Sequence, residues 1–178
     1  MSAIMLRSGR PEDAAVLLDM FDGAVAWLVE RGRAGQWGST PFSKNPKRVE
    51  RVRAMAAHPG LVIAEIDGVA AGAAIFADHP PAHIPPVDEP EVYIDLLITA
   101  REFTGRGVGA FLLTEARAEA RRRGRSLVRV DCWAGGDGAL VRYYRGQGFT
   151  PTVTFEVDGW PGQVLEDRLS PAVTVADR

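Results

Sequence analysis

The chain has 178 residues, 46% of them hydrophobic and 25% charged, with a formal net charge of -2. That composition fits one globular domain with enough apolar matter for a core, and its charge balance excludes a general nucleic-acid binder. The lone cysteine, Cys132, excludes an intrachain disulfide; without a signal-peptide pattern or an apolar run of about 18 residues, the expectation is a cytoplasmic protein that does not enter the membrane.

Ala3 to Leu6 is a short apolar run and predicts a first strand. Pro11, followed by Glu12 and Asp13, opens a helix. Val16, Leu17, Met20, Phe21, Val25 and Leu28 recur at three and four residues and carry it to Arg31-Gly32, with Trp27 read as core. Residues 33–42, RAGQWGSTPF, have no helical period and predict a loop. Pro46 opens a second helix, stopped by His58-Pro59-Gly60. Leu61 to Ile66 and Val69 to Phe76 flank Asp67-Gly68, a strong hairpin signal.

Residues 78–90 are proline-dense and predict loop. Glu91 to Thr99 reads as a strand. A helix follows from about Gly107 to Arg123, with Val108, Phe111, Leu112, Ala116 and Ala120 inside, Arg117 and Arg121 outside, and a Glu119–Arg123 pair at i+4. The basic run at 121–125 falls at the negative end of that helix. A strand from Ser126 to Cys132, a short helix from Asp137 to Arg145, and strands at Thr152 to Val157 and Gln163 to Leu169, joined by DGWPG, complete the chain. Residues 1–170 read as a single domain and the tail beyond Ser170 as frayed. The order β-α-α-β-β-β-α-β-α-β-β predicts a mixed α/β sheet, antiparallel in its first part, with a crossover after the central strand.

The turn Thr104-Gly105-Arg106-Gly107-Val108-Gly109 enters a helix. Such a turn aims several backbone N–H groups one way, and the helix dipole adds to their pull on anions. A Walker A string is absent. Gly105-x-Gly107-x-x-Ala110 satisfies a dinucleotide fingerprint formally, but residues 100–104 separate it from its strand, and roughly 90 residues precede that strand. The pyrophosphate of coenzyme A is the third reading, beside a purely structural tight connection.

Residues 95–149 resemble the acyl-CoA-binding core of the GNAT family, the GCN5-related N-acetyltransferases. The resemblance rests on Leu97-Ile98-Thr99, on Thr104 to Gly109, and on Tyr144-Arg145-Gly146-Gln147-Gly148-Phe149, at matching spacing. Thr104 replaces the family's usual Gln or Arg, Thr99 its Val, Asp137 its Asn and Leu140 its Ala. The backbone N–H of Thr104 remains available in this reading, and Asp137 would repel phosphates. The resemblance implies a central, mostly antiparallel mixed sheet with flanking helices. It also implies acetyl-CoA held by Leu97, Ile98, Thr99, Thr104, Gly105, Arg106, Gly107, Val108 and Gly109, with the acyl-pantetheine lying in an opening beside Leu97 to Thr99. A backbone N–H around Ile98 would polarise the thioester carbonyl. An amine would attack directly, within one complex of both substrates.

The resemblance gives Tyr144 the role of acid toward the departing sulfur, with Tyr143 as its packed neighbour. Asp95, a carboxylate in an apolar strand two residues before Leu97 and on the same face if the strand is regular, is the candidate base; the alternative is a structural anchor. Asp131 and Glu102 are weaker candidates. Trp37, Tyr93 and Trp133 are the expected walls of the acceptor pocket. No metal site is expected, since HExxH and Cys/His clusters are absent. The expected acceptor is a small-molecule or peptide amine, and the late strands with Trp160 suggest a weak homodimer. Two other functions stay open: a non-catalytic acyl-CoA-binding or sensor domain, and a small NAD(P)-dependent oxidoreductase.

Overall fold

Seven strands and four α-helices follow the predicted order. They are β1 (Ile4–Ser8), α1 (Ala14–Glu30), α2 (Pro46–Ala56), β2 (Leu61–Ile66), β3 (Val69–Ala77), β4 (Glu91–Thr99), α3 (Val108–Arg122), β5 (Leu127–Trp133), α4 (Ala139–Gly146), β6 (Thr150–Val157) and β7 (Trp160–Arg168). The computed structural model describes residues 2–171, so most of the tail expected to fray lies outside the described residues. The Asp67-Gly68 turn has positive φ at both residues, as a two-residue hairpin between right-twisting strands requires.

The late hairpin is tighter than DGWPG suggested. Asp158-Gly159 alone makes the turn, and Trp160, Pro161 and Gly162 are already paired with β6. Pro161 is tolerated because its carbonyl accepts from Ala134 N–H at 2.9 Å, and accepting needs no N–H of its own.

The strands form one mixed sheet in the order β1-β2-β3-β4-β5-β7-β6. Every neighbouring pair is antiparallel except β4 and β5. One face packs on α1 and α2 through Leu17, Phe21, Val52, Ile63, Ile75 and Leu96. The other packs on α3 and α4 through Val108, Leu112, Ala116, Val92, Val130 and Tyr144. Arg117, expected on the solvent side, instead ties α3 to β7 through Asp167 at 2.6 Å. Glu119 does pair with Arg123, at 2.7 Å.

Two irregularities of β4 shape everything that follows. The parallel ladder with β5 consists of four pairs, Glu91↔Leu127 to Ile94↔Val130, and then stops. β5 continues along β7 as far as Trp133, while β4 continues along β3 as far as Thr99. The two central strands therefore part after Ile94 and Val130. At the same level β4 carries one extra residue: Phe76 pairs with Ile94 and Ile75 with Leu96, leaving Asp95 unopposed in a bulge. Just before the parting, a buried ion pair joins the strands. Arg129 meets Glu91 at 2.6 and 2.8 Å and also donates to the carbonyl of Pro85 in the proline-rich loop.

Candidate functional site

A cavity of about 560 Å³ opens where β4 and β5 part. Leu97, Ile98 and Thr99 form its strand wall, the glycine turn and the start of α3 its second wall, and α4 its third. Helix α1 and the loop after it close the remaining side with Trp27, Leu28, Arg33, Gln36 and Trp37.

The strand wall offers polar groups because the ladder has ended. Ala100 N–H donates to Ala71 O, so Ala100 occupies a hydrogen-bonded position opposite β3. Antiparallel pairs alternate, and Ile98, opposite Ala73, therefore also turns its N–H to β3. Leu97 and Thr99 turn theirs toward the gap. The N–H expected around Ile98 thus falls to these two neighbours and not to Ile98 itself.

The glycine turn offers more donors. Gly105 and Gly107 have φ of +77° and +76°, the left-handed region that other residues rarely adopt, and Gly107 is the N-cap of α3. Among the described residues no side chain caps α3, so the first N–H groups of the helix, from Val108 to Ala110, are without intrahelical acceptors. Gly109 serves differently. A Cβ there would stand 2.5 Å from the Tyr143 hydroxyl, so only glycine lets that tyrosine approach the helix. The N–H expected from Thr104 is withdrawn, and that of Arg106 is engaged as well. Thr104 N–H goes to Arg101 O at 3.2 Å and Arg106 N–H to Phe103 O at 3.1 Å, because residues 101–103 form a 3-10 turn ahead of the glycines.

The two tyrosines of α4 exchange their expected surroundings. Tyr144 is the buried one, 6% exposed, with its ring edge on Tyr143 and Phe149, while Tyr143 is 39% exposed. Both line the cavity. Burial, followed by the charges of Cys132, Tyr143 and Asp131, pushes the Tyr144 hydroxyl well above the usual tyrosine range and keeps it protonated. Burial likewise pushes the Cys132 thiol up to about 12, which fits an inert, buried thiol.

Asp95 stands apart from the cavity lining. The bulge resets the alternation of β4: Tyr93, Leu96 and Ile98 pack on the α1 side, Ile94 and Leu97 on the α3 side. The expectation that Asp95 shares a face with Leu97 is therefore overturned. Asp95 is also exposed on its outer side rather than buried. Its inner side is nonetheless desolvated, which raises its carboxyl, opposed by the charges of His58 and His83. Asp131, the first β5 residue past the ladder, lies near it. Burial raises Asp131 as well, against the hydrogen bond it accepts from Tyr93.

Two expected acceptor walls prove structural. Tyr93 is 0% exposed and donates its hydroxyl to Asp131. Trp133 is absent from the lining and packs under the glycines of two loops, with its ring 3.2 Å from where a Cβ of Gly35 would stand. Trp37 does line the cavity, seated on Phe21 and Phe42 at centroid distances of 5.3 and 5.8 Å. Trp27, read as core from its place on the α1 stripe, also lines it, as do Arg101, Tyr143 and Gln147. No spacing in the sequence assigns these four to one pocket; only their convergence in three dimensions marks them. Asp137 pairs with Arg33 at 3.1 Å and accepts from Ala139 N–H, which holds its carboxyl below the usual range.

The model of the acetyltransferase (GNAT) family matches residues 27–149, which include the glycine turn, the parting strands and α4. The chain belongs to the GNAT family of acetyltransferases. No curated protein matches its sequence. Solved GNAT-like structures match over nearly the whole chain. A GNAT-family acetyltransferase of Listeria monocytogenes has a TM-score of 0.67 at 18% identity, covering 95% of this chain and 98% of that one. The yncA protein of Salmonella typhimurium, solved with its cofactor acetyl-CoA, has a TM-score of 0.60 at 20% identity and covers 97% of each chain. The ribosomal-protein-alanine N-acetyltransferase of Brucella melitensis has a TM-score of 0.60 at 23% identity, covering 93% and 99%. At these identities the likeness is one of fold: the GNAT sheet, mostly antiparallel, with helices on both faces.

Proposed function

We propose that this GNAT protein transfers an acetyl or other short acyl group from acyl-CoA to a primary amine, by direct attack in a complex holding both. The observation that carries the reading is the ladder that stops after four pairs. It leaves the N–H groups of Leu97 and Thr99 facing a gap beside a turn rich in unpaired donors. That donor set fits an acyl-CoA: strand-like N–H groups suit the amides of a pantetheine, and the N-terminus of α3 suits a pyrophosphate. The acetyl-CoA of the Salmonella structure supports the same choice.

Acetyl-CoA, when bound, supplies a thioester whose acyl carbon gains the amine nitrogen and loses the sulfur. Leu97 and Thr99 would hold its extended arm by backbone donors, and Gly105, Gly107 and Val108 to Ala110 its anionic end. Tyr144, kept protonated by burial, would donate to the departing sulfur. Asp95, outside the lining but at the parting of the strands, would take the amine proton through water. Trp37 and Trp27 would wall the acceptor side.

Isothermal titration with acetyl-CoA, using NAD as comparison, tests the reading first. Saturable binding of acetyl-CoA alone is the expected result, followed by thiol release with a primary amine. Binding without thiol release to any amine favours a sensor domain. Binding of NAD instead of acetyl-CoA would return the glycine turn to a dinucleotide.

A further inference from the structure

Arg101 has no part in the transfer chemistry, yet it lines the cavity. It follows β4 by two residues, but its side chain leaves the glycine turn and crosses to α1. There its Cγ lies 3.6 Å from where a Cβ of Gly23 would stand. Its guanidinium carbon sits 3.9 Å from the centroid of the Trp27 ring, and that of Arg31 sits 4.6 Å from the same ring. Among the described residues, Arg101 Nε is the one fully buried side-chain polar atom without a hydrogen-bond partner. Among the described residues no carboxylate pairs with Arg101 either. By contrast, Arg7, Arg117, Arg123 and Arg129 each hold a carboxylate within 3 Å.

A guanidinium stays charged in proteins, and a partly buried one without an anion is an uncompensated cost. The indole face offsets part of that cost by cation–π attraction but satisfies no N–H. Burial and the nearby Arg31 charge both press against the Arg101 cation. An oxyanion in the cavity would meet the planar donor fork that binds carboxylates best. Two sources of such an anion exist, the acceptor and the phosphates of CoA. Arg101 stands against α1, on the side of Trp27 and Trp37, whereas the unpaired N–H groups of the glycine turn belong to α3. This placement favours the acceptor.

We infer that Arg101, stacked on Trp27 with Arg31 beside it, reads an anionic group on the acceptor, so that the substrate class is a primary amine carrying a carboxylate or a comparable oxyanion. The inference rests on the acyl-transfer reading above.

The test uses the full chain saturated with CoA. N-acetyl amino acids, the corresponding products, are titrated beside their uncharged amides, in the native protein and in the Arg101→Gln and Arg101→Lys variants. The native protein should bind the carboxylates at least about tenfold more tightly than the amides. Arg101→Gln should remove roughly 10- to 100-fold of the carboxylate affinity, the range of a lost charge-assisted hydrogen bond, and Arg101→Lys should restore part of it. CoA affinity, measured on the same variants, should be unchanged and reports that they are folded. Equal binding of acids and amides, or no binding of either to the CoA complex, overturns the inference while leaving the acetyl-CoA result intact. Selective loss of CoA over dephospho-CoA in Arg101→Gln overturns it too, by assigning the arginine to the cofactor.

Discussion

Desolvation, complete at Tyr144 and one-sided at Asp95, pushes both groups in the same direction, with opposite chemical results. A tyrosine held above its usual range is a lasting donor; a carboxyl held above its usual range is a stronger base once ionised. Tyr144→Phe should lower kcat roughly 100-fold while leaving the acetyl-CoA Kd nearly unchanged; thiol-release kinetics beside titration calorimetry checks this, and equal turnover removes Tyr144 from the acid role. Asp95→Asn has a two-sided expectation. The folded protein binds the Asp95 proton more tightly than the unfolded chain, so this group's contribution to stability is lost as pH rises from the ordinary carboxylate range through the raised pKa. At neutral pH the Asn variant should therefore keep or gain Tm while kcat/KM falls and its acid limb disappears. A small, pH-independent loss of activity would make Asp95 an anchor.

At the scale of elements, the glycine turn separates two demands that look alike in sequence. Gly107 has open space around it and needs its φ of +76°, whereas Gly109 needs the room that Tyr143 occupies. Gly107→Ala should cost about 1 kcal/mol of backbone strain and weaken acetyl-CoA up to about tenfold, read by calorimetry; an unaffected Kd would mean the turn does not hold the ligand. Helices, hairpins and the order of elements along the chain were legible because caps, apolar periods and Asp-Gly are local signals; the place of β7 between β5 and β6 was not. The Asp95 bulge was not, because it is defined by where Ile75 and Phe76 fall on the neighbouring strand. Nor was the withdrawal of the Thr104 and Arg106 N–H groups, which depends on a 3-10 turn too short to leave a period. Trp27 fits the apolar stripe of α1 by spacing, and only the arrival of Arg101 from β4 reveals its second neighbour.

At the scale of the molecule, the sheet is two antiparallel portions, β1 to β4 and β5 to β7, meeting in the short parallel ladder. The Arg129–Glu91 pair, with side chains 4% and 3% exposed, sits across that junction. Glu91→Gln would leave a buried cation unneutralised and should lower unfolding free energy by about 3–5 kcal/mol, measured by chemical denaturation. A Glu91→Met/Arg129→Met pair should recover much of it. The family motif pointed to the junction from the sequence, but the acceptor side did not follow, since its walls come from α1, its loop and the residues after β4.

The parting of β4 from β5 has a further consequence, for the lifetime of the protein. A sheet joined at its middle by four residue pairs has a seam, and a molecule laid along that seam binds the folded chain but not the unfolded one. At a hundred times its Kd such a molecule adds about 2.7 kcal/mol to unfolding, enough to cut the transiently open population on which proteases act roughly a hundredfold. The supply of the acyl donor would then govern the protein's abundance as well as its rate, with no regulatory domain added to the fold.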